Sequence, residues 1–215
     1  KHGAFNMHGS LLPKYRGRVP VNWAIIHGER ESGATLHQMV EKPDAGGIAA
    51  QQAVPILPDD TALDVFNKVT VAAEMALDRI LPELLAGRVA LQAQELAAGS
   101  YFGGRKAEDG RIDWNRSAAE VHNLIRAVAP PYPGAFFDTP KGRLRVLRSI
   151  QVNTAPVRRF GHPTLFFHDQ RLFAECGDGR ILRLLAVELG GSTLVPFSAG
   201  NQFNTIFGNS AIPLL

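Results

Sequence analysis

The sequence predicts an α/β fold in two parts, residues 1–95 and residues 111–215, joined by a connector at 96–110. Three observations carry the prediction. A row of apolar residues at helical spacing runs through residues 63–84, between segments that read as strands, which indicates α/β layering. After residue 110 the pattern changes to short strands separated by turn signals, as in a small barrel or sandwich. The 215 residues are 45% hydrophobic and 20% charged, which is ordinary globular usage with enough apolar mass for a sizeable core.

The chain opens on residues 1–6, the end of a strand running into a loop over residues 9–17, where Ser10, Pro13 and Gly17 punctuate it. Residues 20–28 predict a helix, with Pro20 in its first turn, Trp23, Ile25 and Ile26 as apolar bulk and Gly28 past its end. Strands are expected at 34–40 and 46–56, on either side of a Pro43-Asp44-Ala45-Gly46-Gly47 turn. Pro58-Asp59-Asp60 starts the strongest helix. Leu63, Phe66, Thr70, Ala73, Leu77, Ile80 and Leu84 fall on one face and are expected to pack against a sheet, with Gly87 as the stop. Residues 88–110 connect, closing on Gly103-Gly104 and Asp109-Gly110. A short strand at 112–114 precedes a helix capped by Ser117, with Glu120 at the capping-box position and prolines 130, 131 and 133 as terminators. Strands follow at 134–138, 143–152, about 164–167, 171–175 and 180–188, and residues 199–207 predict a closing helix. The first part is too short for a complete doubly wound sheet.

Composition narrows the function. No apolar run approaches the roughly 18–20 residues of a membrane span, and no signal-peptide pattern opens the chain. A single cysteine, Cys176, excludes an internal disulfide framework and a multi-cysteine zinc site, and suits a reducing cytoplasm. Net charge is +3, without a long basic run. The densest cluster, Arg143, Arg145, Arg148, Arg158 and Arg159, reads either as a solvated strand face or as an attractor of an anionic ligand such as a nucleotide diphosphate or an RNA backbone. His27, His37 and His122 lack paired ligand spacing and read as non-metal residues.

Asn6 and His8 stand two apart at a strand end, so both side chains project to one side, toward the cleft that forms at carboxyl ends of α/β strands. Asp44, in its proline–glycine turn, could reach the imidazole. Such a trio suits acyl transfer to an amine. An imidazole exchanges protons with the attacking amine and the leaving group. An amide N–H stabilises the oxyanion, and a carboxylate orients the imidazole. Spacing alone also permits structural roles for all three, since Asp beside glycine is an ordinary turn residue. Ser10 invites a Ser–His–Asp reading, but it lacks a Gly-x-Ser-x-Gly elbow.

The run Phe5-Asn6-Met7-His8-Gly9-Ser10-Leu11-Leu12-Pro13-Lys14-Tyr15-Arg16-Gly17 resembles the signature of the 10-formyltetrahydrofolate-dependent formyltransferases. Gly33-Ala34-Thr35-Leu36-His37 and Val40-Glu41-Lys42-Pro43-Asp44-Ala45-Gly46 resemble that family's second motif. The resemblance covers nearly the whole chain and weakens after about residue 150. It implies that Asn6, His8 and Asp44 are the catalytic set, and that Arg18 with Val40, Glu41, Lys42, Pro43 and Asp44 contact the folate. It implies the C-terminal part of a Rossmann-like formyltransferase domain over 1–95, followed by a small OB-like β-barrel domain over 111–215. The co-substrate would be 10-formyltetrahydrofolate, with no metal.

Gly9, Arg16-Gly17-Arg18 and Pro20-Val21-Asn22-Trp23 are similar to the branch acting on UDP-4-amino-4-deoxy-L-arabinose, whose product serves lipid A modification and polymyxin resistance. The segment Arg126-Ala127-Val128 with Pro131-Tyr132-Pro133-Gly134-Ala135-Phe136 also resembles the family. The expected partners are a UDP-amino sugar and folate in the cytoplasm, with nucleic acid not expected and a homo-oligomer left open. The alternatives are methionyl-tRNA formylation and a truncated, non-catalytic module. The family's N-terminal strands and their folate-binding loop are not found ahead of Lys1, so the chain reads as truncated and inactive by itself. No Gly-x-Gly-x-x-Gly fingerprint is present, so no oxidative activity is expected of these residues.

Overall fold

The computed structural model describes residues 3–152, 159–194 and 211–214. The chain divides into two compact units, Lys1–Arg105 and Lys106–Leu215. The helix expected at 199–207 and Arg158 of the arginine cluster lie outside the described residues.

The first unit is built on an antiparallel sheet in the order β1 (Phe5–His8), β3 (Glu31–Gln38), β4 (Ile48–Pro55). Between β1 and β3 the chain forms the short β2 (Arg16–Gly17) and the helix α1 (Pro20–Ile26). β2 pairs in parallel with β5 (Tyr101–Phe102), which the sequence pattern leaves inside the connector. The layering is thus α/β, while the three-stranded sheet is antiparallel where a Rossmann-like sheet is parallel.

The long helix α2 (Ala62–Leu85) covers β3 and β4. Thr61 caps it: its hydroxyl accepts from the Asp64 N–H, and Asp64 reaches back to the Thr61 N–H. The buried row is Ala62, Val65, Val69, Ala72 and Ala76. This corrects the expected core face. Phe66 is 54% exposed and Leu77 41%, with Leu63 also exposed, and only Ile80 and Leu84 of the expected row pack against the Leu36, Ala50 and Ala76 cluster. Both rows follow steps of three and four, so periodicity does not choose between them. Small side chains let the helix axis come close to the sheet, and that contact outweighs the burial of the larger row.

In the second unit, α3 (Ala118–Ala127) starts at a Ser117–Glu120 capping box, as its sequence predicts. Arg116 and the Ser117 hydroxyl and N–H all bond Glu120 and hold its carboxyl below the usual carboxylate range, the serine contributing most. Residues 112–114, expected as a strand, are not one: only Arg111 makes a bridge, to Phe136, and Trp114 turns into the core.

The strands are β6 (Ala135–Thr139), β7 (Gly142–Gln151), β8 (Thr164–His168), β9 (Arg171–Glu175), β10 (Ile181–Leu189), β11 (Ser192–Leu194) and β12 (Ala211–Pro213). They pair antiparallel in the order β12-β8-β9-β10-β7-β6, with β11 also on β10. A bulge between Leu184 and Val187 bends β10, so one edge serves β9 over its first half and β11 over its second. α3 packs on β7, where His122 Nδ1 lies 2.9 Å from the Ser149 hydroxyl. Among the described residues the ends β12 and β6 do not pair with each other. Arg143 bonds Asp138 and Glu108, and Arg145 bonds Glu188, so these members of the arginine cluster belong to surface ion pairs.

Candidate active site

The site lies at the end of β1. Antiparallel pairing sets Asn6 opposite His37 and His8 opposite Thr35. Asn6 is exposed, while His8 and His37 are buried.

His8 is oriented by the loop that follows it. Its Nε2 lies 2.8 Å from the Tyr15 carbonyl. A carbonyl only accepts, so Nε2 carries the proton and donates. The loop is pinned for this purpose. The Thr35 hydroxyl donates to the Ser10 carbonyl and accepts from the Leu12 N–H, and Gln51 donates to both the Leu12 carbonyl and Thr35. The Tyr15 N–H donates to the Ser100 hydroxyl. Tyr15 itself sits at φ 58°, a left-handed conformation that bulky residues rarely adopt. Its phenol donates to Glu29 at 2.9 Å and is raised above the ordinary tyrosine value, by burial first and by Glu29 second. The Ser10 hydroxyl donates to the Lys14 carbonyl at 2.7 Å, which occupies it outside any Ser–His–Asp relay.

Asp44 occupies the turn before β4 at φ 54°. Its Oδ2 accepts from the Gly17 N–H at 2.8 Å. Its Oδ1 lies 3.7 Å from His8 Nδ1 and 3.4 Å from His37 Nε2, so one oxygen faces two imidazoles. The turn is held from behind by Gln94, whose amide donates to the carbonyls of Asp44 (3.0 Å) and Gly46 (2.6 Å). A Cβ at Gly46 would collide with the Gln38 carbonyl, so only glycine lets the turn close on β3.

Asn6, His8 and Asp44, named from the sequence, therefore converge. His37 joins them, although its spacing reads as that of a residue without ligand partners. Its Nδ1 donates to the Gln38 carbonyl at 3.0 Å, and its Nε2 lies 3.3 Å from Asn6 Nδ2. The Tyr15 carbonyl, the Gly17 N–H and Gln94 also escape the sequence. The place of His37 at the end of the Gly33-Ala34-Thr35-Leu36-His37 motif is the sequence signal that could have pointed to it. Arg18 is exposed, with its N–H on the Phe102 carbonyl and its guanidinium alongside Gly104. Val40, Glu41, Lys42 and Pro43 are exposed ahead of Asp44 and make no contact with the histidines in the bonds described above. Chemically, the cluster offers an amide N–H on the exposed Asn6 and an imidazole with one nitrogen turned to a carboxylate.

Two family models match the chain: formyl transferase over residues 1–81, and formyl transferase, C-terminal domain, over residues 105–201. Among solved structures, the chain is similar to an N-formyltransferase from Helicobacter canadensis, solved with folinic acid and dTDP-3-aminofucose, at 25% identity and a TM-score of 0.71, over 84% of this chain and 65% of that one. WlaRD, a sugar 3N-formyl transferase solved in the presence of dTDP and 5-N-formyl-THF, matches at 26% identity and a TM-score of 0.66, over 84% and 64%. A 4-N formyltransferase from Francisella tularensis matches at 26% identity and a TM-score of 0.58, over 64% and 58%. The chain thus spans about 65% of the length of the first of these proteins.

Proposed function

The chain belongs to the formyl transferase family, and on that premise we propose that it transfers a formyl group from 10-formyltetrahydrofolate to the amine of a nucleotide-linked amino sugar. The observation that carries the reading is the convergence of Asn6, His8 and Asp44, with one Asp44 oxygen set against the His8 ring. The sugar formyltransferases it resembles support an amino-sugar acceptor. The motif resemblance over residues 9–23 narrows our reading to UDP-4-amino-4-deoxy-L-arabinose, serving lipid A modification in the cytoplasm.

The chemistry follows from the hydrogen bonds. The acceptor amine attacks the formyl carbon and forms the new C–N bond. Asn6 donates a side-chain N–H to the formyl oxygen as negative charge builds there. With Nε2–H committed to Tyr15, the free valence of His8 is Nδ1. It takes the proton the amine loses and returns it to the leaving nitrogen of tetrahydrofolate as the old C–N bond breaks. Asp44 Oδ1 faces Nδ1 and offsets the positive charge the ring gains. No enzyme nucleophile is required.

We assign the folate to the surface formed by Arg18 and residues 40–44. Met39 and Val40 expose apolar side chains beside the Asp44 turn, which suits the face of a flat heterocycle, and Lys42 and Arg18 suit its carboxylates. The second unit takes the place of the family's OB-like domain.

Formylation of UDP-4-amino-4-deoxy-L-arabinose, a dTDP-3-amino sugar and methionyl-tRNA, assayed side by side with the full-length protein, tests the reading. The UDP sugar is expected to turn over fastest. Salt-sensitive formylation of the tRNA, with both sugars inert, would overturn the sugar reading.

A further inference from the structure

We propose that His37 is a positioning residue, which holds the Asn6 amide with its nitrogen presented to the reacting formyl group. The inference rests on the role just proposed for Asn6 and extends it to a residue outside the Asn–His–Asp set.

Three features of the fold place His37 for this task. It stands directly opposite Asn6 in the β1–β3 ladder. The β3–β4 register shift beside it leaves its extra residue, Ala49, on β4, so β3 keeps the alternation that sets His37 on the face of Asn6. His37 is 2% exposed, so its ring meets Asn6 from a buried position.

The bonds then determine the amide. His37 Nδ1 lies 3.0 Å from the Gln38 carbonyl and donates to it, and in the tautomer that carries this one proton Nε2 holds the lone pair. Asn6 Nδ2, 3.3 Å from Nε2, donates to it. The opposite amide orientation would set Asn6 Oδ1 against that lone pair, acceptor against acceptor. One Asn6 N–H is thereby tied to His37, and the second remains for the formyl oxygen. His37 Nε2 also lies 3.4 Å from Asp44 Oδ1. His8, 6.4 Å away ring to ring, and Asp44 are the titratable groups described facing it.

A double-mutant cycle on the full-length protein tests this. His37→Leu is expected to lower kcat by roughly ten- to a hundredfold, the scale of a misplaced catalytic group, with both KM values within about twofold. His37→Gln, whose side-chain oxygen can accept from Asn6, is expected to recover most of the loss. In an Asn6→Ala background, His37→Leu is expected to cost less than about twofold, because the group it positions is gone. Equal losses in the two backgrounds, or full turnover by His37→Leu while Asn6→Ala is slow, would overturn the inference alone. Full turnover by Asn6→Ala would overturn it together with the reading of the site. Thermal melts accompany each variant, and if His37→Leu melts early, His37→Phe replaces it in the cycle.

Discussion

Asp44 uses its two carboxylate oxygens differently. Oδ2 is fixed by the Gly17 N–H, while Oδ1 faces His8 and His37. The residue therefore combines a scaffold role with an electrostatic one, and substitutions can separate them. Asp44→Asn keeps an oxygen for Gly17 and keeps the turn. On the proposed mechanism it should leave thermal stability near wild type while lowering kcat by about two decades. Asp44→Ala and His8→Ala should each lower kcat by roughly two to four decades. Steady-state kinetics on the full-length protein decide the matter, and near-normal turnover by any of the three would remove the assigned roles. The cluster also carries backbone strain. Tyr15, Val19 and Asp44 adopt left-handed φ of 58°, 48° and 54°. Asp accepts such a conformation readily, whereas a tyrosine or a valine there costs on the order of 1–3 kcal/mol. The bond from His8 to the Tyr15 carbonyl and the anchoring of the Tyr15 N–H by Ser100 show what the strained segment supports.

Helix α2 connects the site to its foundation. It presses Ala72 and Ala76 onto β3 and β4, the strands that flank the Asp44 turn. Its large apolar residues Leu63, Phe66 and Leu77 form a second row that is exposed among the described residues. The two rows should respond to substitution in opposite ways. Ala72→Leu overfills a close contact and is expected to destabilise the chain by about 1–3 kcal/mol. Leu77→Ser changes an exposed position and is expected to shift stability by no more than about 0.5 kcal/mol. Urea melts of the 215-residue chain compare them, and a larger loss from Leu77→Ser than from Ala72→Leu would reverse the assignment of faces. The second unit uses the same logic with a different element: a bulge in β10 lets one strand serve two neighbours.

At the scale of the molecule, two compact units meet in sequence at residues 105 and 106, and each has its own buried core. Cys176 reports on the second. Burial, then Asp178 and Glu175, push its thiol up to about 12, so little thiolate exists near neutral pH. A fragment of residues 106–215 that folds alone is expected to leave Cys176 inert to a thiol reagent at pH 8 until denaturant is added. Immediate labelling would show that the second unit needs the first. Local pattern was enough to find α2, the Ser117 cap and most strands of the second unit, because capping and periodicity act within a few residues. Asn6, His8 and Asp44 were named by the family resemblance of two dense motifs, since spacing alone also permitted structural roles for them. Local pattern could not choose the buried row of α2, because adjacent rows share one period. It read His37 only as a non-metal residue and gave it no place beside Asn6, because their bond crosses 31 positions. The Tyr15 carbonyl and the Gly17 N–H were beyond it altogether, since a backbone group is the same at every position until the fold brings it to a partner. The sequence by itself therefore determined which side chains we propose for the chemistry. Tertiary structure alone decided what orients them, because orientation comes from contacts between segments far apart in the chain.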